Sequence, residues 1–145
     1  MSEPQVLRVQ RLRPDARLPE RATAGSTGYD LYACLDGELT VGQEPTLVPT
    51  GLAIEAPAGF DVQVRPRSGL SSKGVQVTFG TIDSDYRGEL LVTMSVLPYR
   101  GPHTVRPGDR IAQLVVSRVA DVVLEETAEL SASHRGSGGH GSTGA

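Results

Sequence analysis

Tryptophan is absent from the chain, cysteine occurs once and phenylalanine only twice. A single thiol, Cys34, excludes an intrachain disulfide framework and a thiolate cluster for zinc, and it suits a reducing compartment. Cys34 itself reads as a small, buried apolar group. No stretch approaches the ~18 apolar residues of a membrane-spanning helix, and Met1 to Gln10 lacks the apolar centre of a leader. The chain is therefore expected to be soluble and cytoplasmic, with no membrane contact. Basic excess is lacking too, since 14 Lys and Arg face 17 Asp and Glu for a formal charge of -3. Duplex nucleic acid normally needs a basic face or stripe. No nucleic-acid partner is expected, although a few arginines could still hold a small anion.

What the chain does have is turn chemistry. Seventeen glycines and ten prolines separate short runs rich in Val, Leu, Ile and Thr. The runs Val6–Leu12, Leu47–Glu55, Asp61–Val64, Leu90–Leu97, Ile111–Val116 and Val119–Leu124 are each of strand length. Between them, Gly42 to Pro45, Pro57 to Gly59, Pro98 to Pro102 and Pro107 to Gly108 cannot extend a central strand. An all-β sandwich or jelly roll follows. One segment breaks the pattern: Ser68 to Gly74 has a capping serine at one end and a stop glycine at the other, which predicts a single short helix. Ser131–Ala145 is different again, with nine Gly or Ser in fifteen residues. Such a tail cannot build a core by itself.

Five stretches concentrate the residues that carry chemistry. They are Ala24 to Ala33 (AGSTGYDLYA), Arg65 to Leu70 (RPRSGL), Gly80 to Glu89 (GTIDSDYRGE), Arg106 to Gln113 (RPGDRIAQ) and Arg135 to Gly144 (RGSGGHGSTG). In the second, a serine opening a short helix aims its hydroxyl and the unpaired first-turn N–H groups at one point, which suits a phosphate. Arg67 adds a guanidinium whose fork matches phosphate oxygens. In the third, Asp83 lies among turn-prone and acidic residues expected to form a hairpin between two strands. The fifth contains Gly136-x4-Gly141 followed by Ser142-Thr143, which looks like a Walker phosphate loop. However, Ser142 stands where the phosphate-binding lysine belongs and no strand precedes it.

Taken together, in this order and spacing, the five stretches resemble the motifs of the trimeric dUTP pyrophosphatase (dUTPase) family over most of the chain. The resemblance implies an all-β, jelly-roll-like β-sandwich of the β-clip type with one short helix, assembled as a homotrimer. It divides the chain into a β-core domain, 1–130, and a Gly/Ser-rich arm, 131–145, that closes over the active site. It further implies hydrolysis of dUTP to dUMP and pyrophosphate with Mg2+, limiting uracil incorporation into DNA and supplying dUMP for thymidylate synthesis.

By the same resemblance, Asp83 orients the water that attacks the α-phosphorus. A carboxylate is a weak base, so positioning and metal charge must supply most of the barrier reduction. Arg67, Ser68, Gly69 and Gln113 hold the triphosphate. Tyr86 lies against the deoxyribose and leaves no room for a 2′-hydroxyl. Gly80 and Ile82 read the uracil edge through their backbone. Val77 stands where many members carry an asparagine that touches the base, and Phe79 precedes Gly80 in place of a proline, so main-chain groups rather than side chains are expected to recognise uracil. Asp30 meets hydrated Mg2+ through water, and the ion arrives with the nucleotide. Arg135, Gly141, Ser142 and Thr143 take the γ-phosphate, and His140, where most members have phenylalanine, stacks on uracil. His103 and His134 read as solvated. The site would be shared, with the Asp83 hairpin from one chain, the Ser68 helix and Gln113 from a second, and the arm from the third.

Three rival readings are weaker. Relatives that deaminate dCTP place a catalytic glutamate where this chain has Thr93. A non-catalytic nucleotide sensor would have no need to keep Asp83, Tyr86 and Arg135 together, and a purely structural jelly roll would need five coincidences.

Overall fold

Alternation of apolar and polar residues builds the centre of the molecule. The computed structural model describes residues 4–139 and 141. Strand β1 spans Arg8–Arg11, β2 Tyr29–Tyr32, β3 Leu39–Val41, β4 Thr46–Pro49, β5 Leu52–Glu55 and β6 Phe60–Arg65. Helix α1, Ser68–Ser71, precedes β7 (Val75–Val77), β8 (Gly80–Ile82), β9 (Leu91–Val96), β10 (His103–Val105) and β11 (Arg110–Arg118). In β6, Val62 and Val64 point inward between polar neighbours, and in β9 Val92, Met94 and Val96 do the same. Their inward faces meet Leu31, Val48, Leu52, Ile54, Val75, Ile111 and Leu114 in one contiguous apolar core.

The strands pair as β2-β11-β6-β8, β4-β9-β7, β1-β5 and β3-β10. Every one of these pairs is antiparallel. Among the described residues, no strand pairs with its neighbour in sequence. The result is the all-β jelly-roll type of fold, with one short helix. No helix among the described residues is long and apolar enough to cross a membrane.

Several expectations are corrected. Leu47–Glu55 is two strands, because the chain turns at Thr50 and Gly51, where Gly51 adopts φ 70°. Thr50 is fully buried there, its Oγ1 donating to the Leu90 carbonyl at 2.7 Å. A Cβ on Gly51 would meet both Ala16 Cβ and Cys34 Sγ at 2.9 Å, so only glycine fits this bend. Val119–Leu124 is not a strand: after the Val119 N–H bonds the Gly59 carbonyl at 2.9 Å, the chain leaves the sheet. Val122, Val123 and Leu124 are exposed, because strand composition provides no partner when none lies alongside. β8 and β9 do not form a hairpin but belong to different sheets, so the segment between them is a crossover. His103 is not solvated; it is partly buried in β10, and burial followed by the charge of nearby Arg100 pushes its pKa below the ordinary value. Cys34 is buried as expected, and burial raises its thiol pKa.

Candidate active site

The register of the central sheet brings the predicted anion-binding residues together. Gln113 of β11 stands opposite Asp30 of β2 on one side and Arg65 of β6 on the other. A bulge between Arg110 and Ala112 lets both Ile111 and Ala112 face the core and resets the register just before Gln113. From Arg65 the chain passes through Pro66 into α1, which places Arg67, Ser68 and Gly69 beside Asp30 and Gln113. These five residues, with Ser26, Thr27 and Gly28, line an open cavity of about 300 Å³.

The first turn of α1 is prepared for an acceptor. Ser71 is the first residue of the helix whose N–H finds a carbonyl, that of Arg67 at 3.0 Å, so the earlier N–H groups have no partner within the helix. Ser68 is the first helical residue rather than the cap expected from sequence. Arg67 occupies the cap position with extended backbone and makes no capping side-chain bond. Its guanidinium turns to Asp30 instead, Nε donating to Oδ1 at 3.2 Å. Arg110 Nη1 approaches the other Asp30 oxygen at 3.8 Å. The Asp30 carboxylate is only 13% exposed and is held between these two guanidiniums. Gln113 Nε2 donates to the Pro66 carbonyl at 2.9 Å, tying β11 to the turn that precedes Arg67.

Arg110 also opens onto a larger cavity of about 440 Å³ on the far side of Asp30. There the guanidiniums of Arg17, Arg21 and Arg110 are matched by Glu20, Asp30 and Asp109. This space lacks the free helical N–H groups that make the smaller cavity suited to phosphate.

Asp83 and Tyr86 line another cavity, of about 200 Å³, with Thr81, Ile82 and Glu89. Their loop supports itself: the Tyr86 N–H donates to the Asp83 carbonyl at 3.0 Å, the Tyr86 hydroxyl to the Glu89 carbonyl at 2.8 Å, and Arg87 Nη1 to the Ser84 carbonyl at 2.7 Å. Gly51 N–H donates to Glu89 Oε2 at 2.9 Å, which fastens the loop to the bend between β4 and β5. Gly80 and Ile82 form the ends of β8. Val77 turns its side chain into the core, so only its backbone remains for a ligand.

The Asp83 loop and the Arg67 cavity share no residue. Antiparallel pairing of β6 with β8 sets Gly80 against Val64 and Ile82 against Val62, so Asp83 sits at the opposite end of β6 from Arg67. Six residues of separation at ~3.3 Å each amount to about 20 Å along the sheet. In the arm, Gly136 N–H donates to Ser133 Oγ at 3.1 Å and Gly138 N–H to the Arg135 carbonyl at 3.2 Å, bonds that stay within the arm. Gly141 adopts φ 87°. His140, Ser142 and Thr143, expected to contact the base and γ-phosphate, lie outside the described residues.

Sequence reasoning named most of these residues but not the parts played by Gly28, Arg110 and the Pro66 carbonyl. Gly28 and Arg110 stand inside the first and fourth stretches, so their presence there was the available signal. Among the described residues no group of three or more His, Cys, Asp or Glu could hold a metal. The one carboxylate in the phosphate-suited cavity, Asp30, is already paired with arginine. That donor set fits Mg2+ held mainly by a ligand's own oxygens and reached from Asp30 through water.

Comparison with known proteins places the chain in a family. The dUTPase family pattern matches residues 14–144. The deoxyuridine 5′-triphosphate nucleotidohydrolase of Syntrophotalea carbinolica is 47% identical over 146 residues, covering 95% of this chain and 96% of that protein. That of Mycolicibacterium vanbaalenii is 44% identical, covering 97% and 96%. Among solved structures, a mutant dUTPase of Staphylococcus bacteriophage 80alpha with dUpNHpp superposes with a TM-score of 0.78 at 27% identity, covering 97% of this chain and 99% of the phage chain. A mutant dUTPase of phage phi11 of S. aureus, described with a coordinated structural Mg(II) ion, gives 0.74 at 25% identity over 86% and 97%. With the pattern spanning nearly the whole chain and such relatives matching end to end, the chain belongs to the dUTPase family.

Proposed function

We propose that the cavity beside α1 seats the triphosphate of dUTP, and that the Asp83 loop of a second copy supplies the carboxylate that orients the attacking water. As a dUTPase the chain is a dUTP diphosphatase, hydrolysing dUTP to dUMP and pyrophosphate with Mg2+. The reaction removes a precursor of uracil in DNA and yields dUMP, the substrate for thymidylate synthesis.

The observation that carries the shared site is the β6–β8 register. A water attacking the α-phosphorus must lie within hydrogen-bond reach of the carboxylate, about 3 Å, while the remaining phosphates rest against Arg67 and Ser68. One chain holds those two groups at opposite ends of β6. A second copy closes the gap, and a closed three-fold ring gives every copy the same two contacts. The segment after β11 supports the same reading. Val119, Val122, Val123, Leu124 and Leu130 are exposed apolar side chains that burial on a neighbouring copy would stabilise.

In the mechanism, Arg67, the α1 N–H groups and Gln113 fix the phosphate chain, and Asp30 orients the Arg67 guanidinium. Asp83 accepts a hydrogen bond from water and takes its proton as the oxygen bonds to the α-phosphorus. The bond from that phosphorus to the α–β bridging oxygen breaks, and pyrophosphate leaves. Asp30 would reach a nucleotide-borne Mg2+ through water, and the bound ion would supply positive charge that offsets the charge of the leaving group. Tyr86 walls off the 2′ position of the sugar, and the backbone of Val77, Gly80 and Ile82 reads uracil. Arg135, Gly141, Ser142 and Thr143 close on the γ-phosphate while His140 stacks on the base. Thr93 offers no carboxylate for deamination; in β9 it stands opposite Leu47. A reducing cytoplasm suits the buried, unpaired Cys34.

Incubation with dUTP, dCTP, dTTP and UTP, with products separated by chromatography, tests the activity. Rapid conversion of dUTP alone, to dUMP and pyrophosphate, is expected. Deoxyuridine triphosphate as a product of dCTP would overturn it. Sedimentation should give three times the chain mass of 15.3 kDa, and an active monomer would overturn the shared site.

A further inference from the structure

Gly88 lies under the Tyr86 ring, and no other residue would leave that ring where it is. A Cβ built on Gly88 would overlap the Tyr86 hydroxyl and fall 2.6 Å from Cζ and 2.9 Å from Cε1. Real side chains do not tolerate such distances, so any side chain at position 88 must displace the phenol. The Gly88 backbone does not lie in the left-handed region reserved for glycine. Glycine is therefore required at this position for the space it leaves and not for its torsion angles.

The displaced ring would lose its anchor. Tyr86 is tethered at its far end by the hydroxyl donating to the Glu89 carbonyl at 2.8 Å, and Glu89 is fastened through Oε2 to the Gly51 N–H. The Arg87 guanidinium braces the turn from outside, Nη1 bonding the Ser84 and Tyr86 carbonyls and Nε facing Glu55 Oε1 at 3.4 Å. The ring is thus clamped at its tip and lies against Gly88, and Tyr86 lines the same cavity as Asp83.

We infer that Gly88 is a specificity-positioning residue: by letting the phenol fold flat over its α-carbon, it holds Tyr86 where a 2′-hydroxyl would collide, and so sets the preference for deoxyribose over ribose. The inference rests on the reading of Tyr86 as the sugar wall. Gly88 acts only through Tyr86 and touches no substrate.

The test is a double-mutant cycle read as the ratio of kcat/KM for UTP to that for dUTP. Gly88→Ala should raise the ratio about tenfold or more, the scale on which a site discriminates by fit alone. In the Tyr86→Ala background the same substitution should leave the ratio unchanged, because the three atoms the added methyl would meet first all belong to the Tyr86 phenol. A Gly88→Ala ratio equal to wild type, with Tyr86→Ala clearly relaxed, overturns the inference and leaves the sugar wall standing. Equal shifts in both backgrounds overturn it as well, since Gly88 would then act by another route. A Tyr86→Ala ratio unchanged from wild type overturns the sugar-wall reading itself, and the inference falls with it. Should Gly88→Ala fold poorly, shown by its melting temperature, the pair in the Tyr86→Ala background still decides, because a melting defect persisting there means that the methyl strains something other than the ring.

Discussion

The Gln113 side chain crosses Gly28 so closely that a Cβ on Gly28 would fall 2.9 Å from Gln113 Cδ and 3.0 Å from its Cβ. Gln113 reaches the Pro66 carbonyl from this position, so Gly28 indirectly steadies the turn that presents Arg67. Gly28→Ala should displace the amide, cost about 1–3 kcal/mol of stability as overpacking does, and raise KM for dUTP more than it lowers kcat. Urea unfolding and steady-state kinetics check both parts, and an unchanged KM would detach Gln113 from the phosphates.

Asp83 is exposed, and among the described residues its side chain has no hydrogen-bond partner that would be lost on substitution. Asp83→Asn should melt at the wild-type temperature and bind dUTP normally, yet lower kcat by ~10²–10⁴, the usual worth of a general base. Turnover within threefold of wild type would remove Asp83 from the chemistry.

Mixed oligomers test the division of labour between the two ends of β6. Homo-oligomers of Asp83→Asn and of Arg67→Ala should each be nearly inactive. If loop and phosphate cavity come from different copies, random mixing restores about one site in four. Recovery of activity on co-expression, with mixed assembly confirmed by mass, is the expected result. No recovery would mean that both residues of a site come from one chain.

His103 makes stability depend on pH. Burial, then the charge of Arg100, lowers its pKa in the folded chain, with Lys73 and Arg106 acting the same way and Asp109 opposing. The unfolded chain therefore binds the proton more tightly. This contribution is complete above the unfolded value near ~6.5 and is lost as pH falls through it toward the lower folded value. Melting temperature should fall between pH 7.5 and 5, and fall less in His103→Asn. Parallel curves for the two proteins would show that other groups set the slope.

Long alternating runs were legible in the sequence, because β6 and β9 each expose one face and bury the other. The break inside Leu47–Glu55 was hidden because Leu52, Ala53 and Ile54 are all buried and give no alternation on which a turn could be recognised. Strands of three residues, such as Leu39–Val41 and His103–Val105, are too short to show a period. Local sequence also could not reveal partners. Val119–Leu124 has the composition of a strand with nothing beside it, and the Asp83 segment has the turn residues of a hairpin but joins two sheets. The site residues were legible through the five stretches. The contacts among them were not, since Gln113 meets Gly28 and Pro66 only through the register of β11.

That register has a consequence for how the chain reaches its structure. β2 waits for β11, β3 for β10, and β4 for β9, so three of the first four strands find their partners only beyond residue 90. Closing such long loops precedes any reward from pairing, which places folding among the slow, milliseconds-to-seconds class. A nascent chain still short of Arg118 has β2 and β6 without their shared neighbour, with open edges that attract other strands. The emergence of β11, rather than of any early segment, is then the moment at which the molecule can become itself.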